Sequence, residues 1–188
     1  MCKQLASGKI ENQTIHLCFT CDPYPKGVDS SVTREIIKAI KGLGCNVSIL
    51  TKNGEDAERD FDLLDENDWF GITYAGYEGY SFRGDINNDY IPLEEPNSGT
   101  VFGRLLALYH AHKKGIKTWV SAEPVLYPEK VLEFIELADY VDKWYIGKLN
   151  YRPSEVNWKE FGKKAERVCI EHKRDFYIKD SLKKEMNA

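Results

Sequence analysis

The residues of this 188-residue chain best suited to chemistry sit just beyond short apolar runs. Thr20 and Asp22 follow "TIHLCFT" (14–20), while Thr51, Lys52 and Asn53 end or follow "CNVSILT" (45–51). Thr73 closes "WFGITY" (69–74), and Ser121 and Glu123 end "IKTWVSAE" (116–123). Lys148, Asn150 and Arg152 leave "DKWYIGK" (142–148). Hydroxyls, carboxylates, amides and cations collected in this way suit the polar ends of a small ligand. A purely structural domain has no reason to place such groups after every apolar run.

Metal and redox chemistry have weaker claims. "LCFTCDPYP" (17–25) holds Cys18 and Cys21 in CxxC spacing. Side chains alternate along a strand, so residues three apart point to opposite faces and cannot share one metal. A redox CxxC normally opens a helix, where the dipole lowers the thiol pKa, whereas this pair runs into Asp-Pro-Tyr-Pro. Cys18, Cys21, Cys45 and Cys169 therefore read as packing residues. His110 and His112, two apart on a helix, face different ways, and His16 lies within a strand. Neither GxGxxG nor GxxxxGK[ST] occurs, and no nucleophile elbow is present.

The apolar runs that carry these groups are short and rich in β-branched or aromatic residues, as strands require. Helical faces alternate with them. Val32, Ile36, Ile37, Ile40 and Leu43 have helical spacing, with Ser30 or Ser31 as N-cap and Gly44 as stop. Ala57, Phe61 and Leu64 form a shorter face, and Val101, Leu105, Leu108 and Tyr109 form another. Pro128 suits a first helical turn ahead of Val131, Leu132, Ile135 and Ala138. Trp158, Phe161, Ala165 and Val168 make the last long face. The order is β-α repeated five times, an α/β pattern that implies a parallel sheet. Both a flavodoxin-like doubly wound sheet and a partial (β/α) TIM-like barrel satisfy it. In either, binding groups belong at the carboxyl ends of the strands. The stretch "AGYEGYSFRGDINNDYIPLEEPN" (75–97) is long for a loop in a compact domain, a length that marks functional or mobile segments. The expected organisation is a polar segment over 1–13 and a single domain over 14–188.

Composition narrows the partners. Twenty-six basic and 30 acidic residues give a net charge of −4 with the signs well mixed, so no global basic field favours nucleic acid. The lysine-rich "HKKGIK" and "KKAERVCIEHKR" are interleaved with acids and read as solvated helix faces. No run of about 18 apolar residues offers a membrane span. An odd count of five scattered cysteines fits reduced thiols in a cytoplasmic protein.

Several of these segments have a familiar order. "HLCFTCDPYP", "VSILTKN", "FGITY", "EEPNSGT…LLALYHAHKKGIKTWVSAEPVL" and "WYIGKLNYRPS" resemble the later strands of radical S-adenosylmethionine (SAM) proteins, in the spore photoproduct lyase-like branch often labelled DNA repair photolyase. The tail "DFYIKDSLKKEM" resembles the end of such proteins, so the likeness runs over about residues 14 to 185. It implies a partial (β/α)6 barrel, with the five units here as the second to sixth. It further implies reductive cleavage of SAM at a [4Fe-4S] cluster, with a nucleic-acid lesion as the candidate substrate.

The resemblance also assigns roles. Thr20 and Asp22 would line the SAM site, Lys52 would reach the carboxylate or ribose, and Thr73 the ribose or methionine end. Ser121 and Glu123 fall on the same cofactor side, Glu123 accepting from ribose hydroxyls. Lys148, Asn150 and Arg152 would lie near the adenine or substrate, with Tyr24 and Tyr151 facing the substrate. The competing reading is that Lys52 and Glu123 simply pair with each other. One departure bears on mechanism: the family holds its cluster through CxxxCxxC, and that motif is absent here. A chain with fewer thiolates holds a cluster poorly, so this one is expected to be inactive alone. The alternatives are a cluster-free SAM or small-ligand module, or a product completed by an upstream partner chain. A missing barrel unit exposes a strand edge, which such a partner, a homodimer or the chain's own first thirteen residues would cover.

Overall fold

Six parallel strands lie in one sheet in chain order: β1 (Thr14–Leu17), β2 (Asn46–Thr51), β3 (Trp69–Thr73), β4 (Lys117–Ala122), β5 (Lys143–Ile146) and β6 (Phe176–Ile178). The structure, a computed structural model, describes residues 12–17, 21–78, 80, 89–93 and 95–188. The helices between the strands are α1 (Ser31–Gly42), α2 (Gly54–Ala57) with a 3-10 turn (Glu58–Leu63), α3 (Val101–Lys113), α4 (Pro128–Leu137) and α5 (Trp158–Glu171). A final helix, α6 (Asp180–Asn187), follows β6.

Strand order decides between the two architectures. A doubly wound sheet reverses its order at a switch point; here it never reverses. Right-handed crossovers then place every helix on the same face, and the sheet curves as a partial barrel. Among the described residues β1 and β6 end the order without pairing to each other, so the sheet they form is open.

The count of five units needs correction, because β6 adds a sixth strand paired to β5 through Trp144↔Phe176 and Ile146↔Ile178. Three residues between Asp175 and Lys179 are too few to display a period, so β6 exists only through its neighbour. Ser30 is the N-cap residue of α1, as predicted, but the side-chain bond at this helix start comes from its neighbour. Asp29 accepts from the Ser31 amide at 2.8 Å, and Ser30 makes no side-chain cap.

Alternation along each strand separates two faces. Val47 and Ile49 of β2, Phe70 and Ile72 of β3, and Trp144 and Ile146 of β5 are buried under the helices. His16, Ser48, Trp69, Trp119, Ser121 and Tyr145 turn to the other, concave face and line a cavity of about 630 Å³. Gly71 has a specific reason to be there. A Cβ at this position would overlap the Trp119 indole, which crosses β3 to donate from Nε1 to the Ile49 carbonyl at 3.1 Å.

Candidate ligand site at the carboxyl edge of the sheet

Strand ends in a parallel sheet share one edge, and here that edge holds two cavities with common walls. One, of about 580 Å³, is lined by Lys52, Glu95, Glu123, Lys148, Asn150, Tyr151 and Arg152. The other, of about 380 Å³, adds Asp22, Asn53 and Ser98 to the shared Lys52 and Glu95. The groups predicted from β2, β4 and β5 are thus brought together, with Asp22 from beyond β1 beside them.

Most of their charges are already partnered. Lys52 Nζ lies 2.6 Å from Glu95 Oε1, and Glu95 Oε2 lies 2.7 Å from Arg104 Nη1. Arg104 is fully buried on α3. It donates to the Tyr77 hydroxyl at 2.9 Å, to the Thr73 and Gly99 carbonyls at 3.3 Å, and to Ser98 Oγ. Burial pushes the Glu95 carboxyl up, but the charges of Arg104 and Lys52 outweigh it and hold it below the ordinary carboxylate range. A buried carboxylate stays ionised only with such compensation.

Glu123 accepts from Asn150 Nδ2 at 3.0 Å and pairs with Lys179, just after β6. Lys52 and Glu123 therefore do not pair with each other; each has its own partner. Gly147 makes room for this arrangement, because a side chain there would strike the Glu123 carboxylate. Lys148 pairs with Glu185 on α6. Arg152, on the cavity wall, is exposed and has no ion pair among the described residues. Tyr151 is fully exposed in a left-handed conformation, at φ 64°.

The fold engages the other predicted side chains in different ways. Asp22 ties chain segments together, accepting from the Tyr24 amide at 2.9 Å, Thr51 Oγ1 at 2.6 Å and the Lys52 amide at 2.7 Å. Thr73 is buried below the edge, and Ser121 lines the concave cavity instead. Tyr24, expected to face a substrate, lies in the wall of the smaller cavity but has essentially no exposed surface, and its hydroxyl donates to Asp60 at 3.0 Å. Burial and the Asp60 charge push that phenol's pKa up. Thr20 lies outside the described residues, as does Cys18.

Glu95, Arg104 and Lys179 were not legible as site residues. Glu95 lies in the long loop over 75–97, where no period orients it, and Arg104 sits among apolar residues in the first two turns of α3. An arginine on a core-facing helix position, which demands a buried acceptor, was the available signal.

The edge offers donors (Lys52, Asn150, Arg152) and acceptors (Glu95, Glu123) within about one ligand's reach. Both signs are present, as a zwitterion carrying hydroxyls and a carboxylate requires. Among the described residues the walls of these two cavities carry no cysteine to hold an iron–sulfur cluster. Cys45 and Cys169 are buried and Cys21 is exposed. Among the described residues no group of three Cys, His, Asp or Glu is arranged to hold a metal.

No protein-family model and no curated protein matches the sequence. Solved structures do match in fold. A spore photoproduct lyase mutant aligns with TM-score 0.64 at 13% identity, covering 94% of this chain and 63% of that one. A mutant with bound AdoMet and dinucleoside spore photoproduct aligns at 0.54 and 15% identity, covering 88% and 48%. Streptococcus suis SuiB bound to S-adenosylmethionine aligns at 0.59 and 10% identity, covering 88% and 39%. The chain therefore spans between 39% and 63% of the lengths of these three structures. At these identities the likeness is one of fold: this chain's sheet and helices are similar to those of spore photoproduct lyase and SuiB.

Proposed function

We propose that this chain is a radical SAM-type core that binds S-adenosylmethionine at the carboxyl edge of its sheet. The observation that carries this is the meeting of Lys52, Glu95, Glu123, Asn150 and Arg152 around one cavity. It occurs on a fold whose solved neighbours include two with bound AdoMet or S-adenosylmethionine. Arg152 supplies an uncompensated cation for a carboxylate, and Glu123 supplies an acceptor for ribose hydroxyls. The concave cavity below, with Trp69, Trp119 and Tyr145 on its walls, would take the substrate. Aromatic walls suit a planar ring such as a nucleobase, in keeping with a lesion substrate.

The [4Fe-4S] cluster that reduces SAM would come from a separate polypeptide or segment carrying CxxxCxxC, in the reducing cytoplasm. By itself the chain would bind SAM without cleaving it. A second reading, a cluster-free ligand-binding module, is favoured by the lack of a thiolate set among the described residues.

Calorimetry with SAM and S-adenosylhomocysteine tests the binding step. One site is expected, weakened roughly tenfold by Arg152→Ala or Glu123→Gln. Failure of both ligands to bind refutes the proposal. Anaerobic reconstitution followed by iron and sulfide analysis separates the two readings. Cleavage of bound SAM that appears only when a CxxxCxxC chain is co-expressed supports the enzyme core, and binding that never leads to cleavage supports the module.

A further inference from the structure

The two faces of the sheet are built from different kinds of residue. Toward the helices, aliphatic and aromatic side chains close-pack as the core. A closed (β/α) barrel fills its inside in a similar way, with layers of bulky branched side chains. The concave face of this chain does not. It keeps a cavity of about 630 Å³, and Leu50 is the one aliphatic side chain on its wall among the described residues. The rest of that wall is three aromatic rings, three Ser or Thr hydroxyls, His16 and two lysines, Lys143 and Lys179. Among the described residues no Asp or Glu lines it.

Strand register makes a cation and the rings neighbours. Trp119 of β4 pairs with Lys143 of β5, and Ser121 with Tyr145, on strands about 4.8 Å apart. The Trp119 and Tyr145 rings meet edge to face at 5.4 Å, a corner against which a third ring packs well. The indole N–H of Trp119 is spent on the Ile49 carbonyl. On its other side, His16 stands 5.5 Å from the Trp119 ring, with Nδ1 3.1 Å from Ser48 Oγ. Burial holds this imidazole below the ordinary histidine value, so near neutral pH the positive charge of the cavity belongs to its lysines. The two lysines differ in freedom. Lys179 is taken by Glu123, which belongs to the edge site. Lys143 pairs at 2.7 Å with Asp175, whose side chain is 62% exposed. Such a solvated pair is weak, and Asp175 is free to turn to water when another anion arrives.

We propose that the concave cavity binds a planar aromatic ring carrying an anionic group, phosphate or carboxylate, with the ring against Trp119 and Tyr145 and the anion on Lys143. Walls of rings and cations without a carboxylate repel a cationic ligand and give a neutral one no use for Lys143. His16 and Ser48 serve the polar edge of the ring. The inference rests on the reading of this cavity as the substrate site and names the charge of what enters it. It does not depend on SAM at the sheet edge.

Calorimetric titration of the whole chain with uridine 5′-monophosphate and with indole-3-acetate provides the test, with uridine, indole and inorganic phosphate as controls. At least one of the two anionic rings is expected to bind and to change tryptophan emission. Its neutral counterpart should bind about tenfold more weakly or less, and phosphate alone should not bind. Which of the two binds tells phosphate from carboxylate. Lys143→Gln should weaken the anionic ring about tenfold and leave the neutral ring unchanged. Lys164→Gln, on α5 and paired with Glu160, should change neither. Asp175→Asn releases Lys143 and should tighten the anionic ring severalfold, a gain that no folding defect produces. The proposal is overturned if neither anionic ring binds, if anionic and neutral rings bind alike, or if Lys143→Gln leaves the affinity unchanged. SAM binding without a ring anion overturns this inference and spares the SAM site; a ring anion that binds where SAM does not has the reverse meaning.

Discussion

Replacing Arg104 by methionine removes a buried cation and leaves Glu95 with Lys52 as its remaining ionic partner. Arg104 and Glu95 are 0% and 8% exposed at their side chains, so neither loss is made good by water. Breaking a buried ion pair from one side costs about 3–5 kcal/mol. For a chain of this size that corresponds to a melting temperature lower by roughly 6–20 °C. It is a large share of the 5–15 kcal/mol typical of a whole domain. Adding Glu95→Gln removes the stranded carboxylate and should recover at least about 1 kcal/mol. The pH dependence has a definite sign. Glu95 has a depressed pKa in the folded chain, so its contribution is present above the ordinary carboxylate value and lost as pH falls through the folded one. The parent should therefore lose stability on acidification, and the part due to Glu95 should vanish in Glu95→Gln. Thermal melts of the parent, both single variants and the double variant, between neutral and mildly acidic pH, measure all of this. A drop of under about 2 °C in Arg104→Met, or two single losses that simply add in the double variant, would refute the reasoning. Either would mean that the pair is solvated.

Gly71→Ala should lower stability by about 1–3 kcal/mol or more and change tryptophan emission, because its Cβ meets the Trp119 indole; unchanged emission would argue against the crossing. Tyr24→Phe should cost about 1 kcal/mol and leave SAM affinity unchanged, since the hydroxyl serves Asp60 and not a ligand. Asp60 keeps Arg34 and Arg59. A tenfold loss of affinity in that variant would return Tyr24 to the site. Glu123→Gln should weaken SAM binding roughly tenfold while lowering stability little, because a half-buried pair such as Glu123–Lys179 contributes at most about 1 kcal/mol. Equal affinity would remove Glu123 from the ligand.

How far the sequence reaches differs from residue to residue. Five of the strands and the long helices were legible because each keeps its period over enough residues for pattern to outweigh composition. β6 was not, with only Phe176, Tyr177 and Ile178 to display an alternation. The sheet edge was legible for Lys52, Glu123, Lys148, Asn150 and Arg152, because chain direction alone puts strand ends on one side of a parallel sheet. Direction does not say how deep a side chain lies. Asp22 turned out to bridge β2 and the loop after β1, Tyr24 entered the core, and Ser121 faced the concave cavity.

The sequence by itself determined an α/β chain of repeated parallel units with polar strand ends, since local period and chain direction are properties of neighbouring residues. It also determined that CxxxCxxC is absent. Only the tertiary structure decided that the strands, among the described residues, run in unbroken order as an open sheet. It alone decided that Glu95 joins Lys52 to Arg104 and that Lys179, 56 residues further along the chain, takes Glu123. Such pairings follow from where distant backbones meet, and nothing in the local sequence encodes that distance.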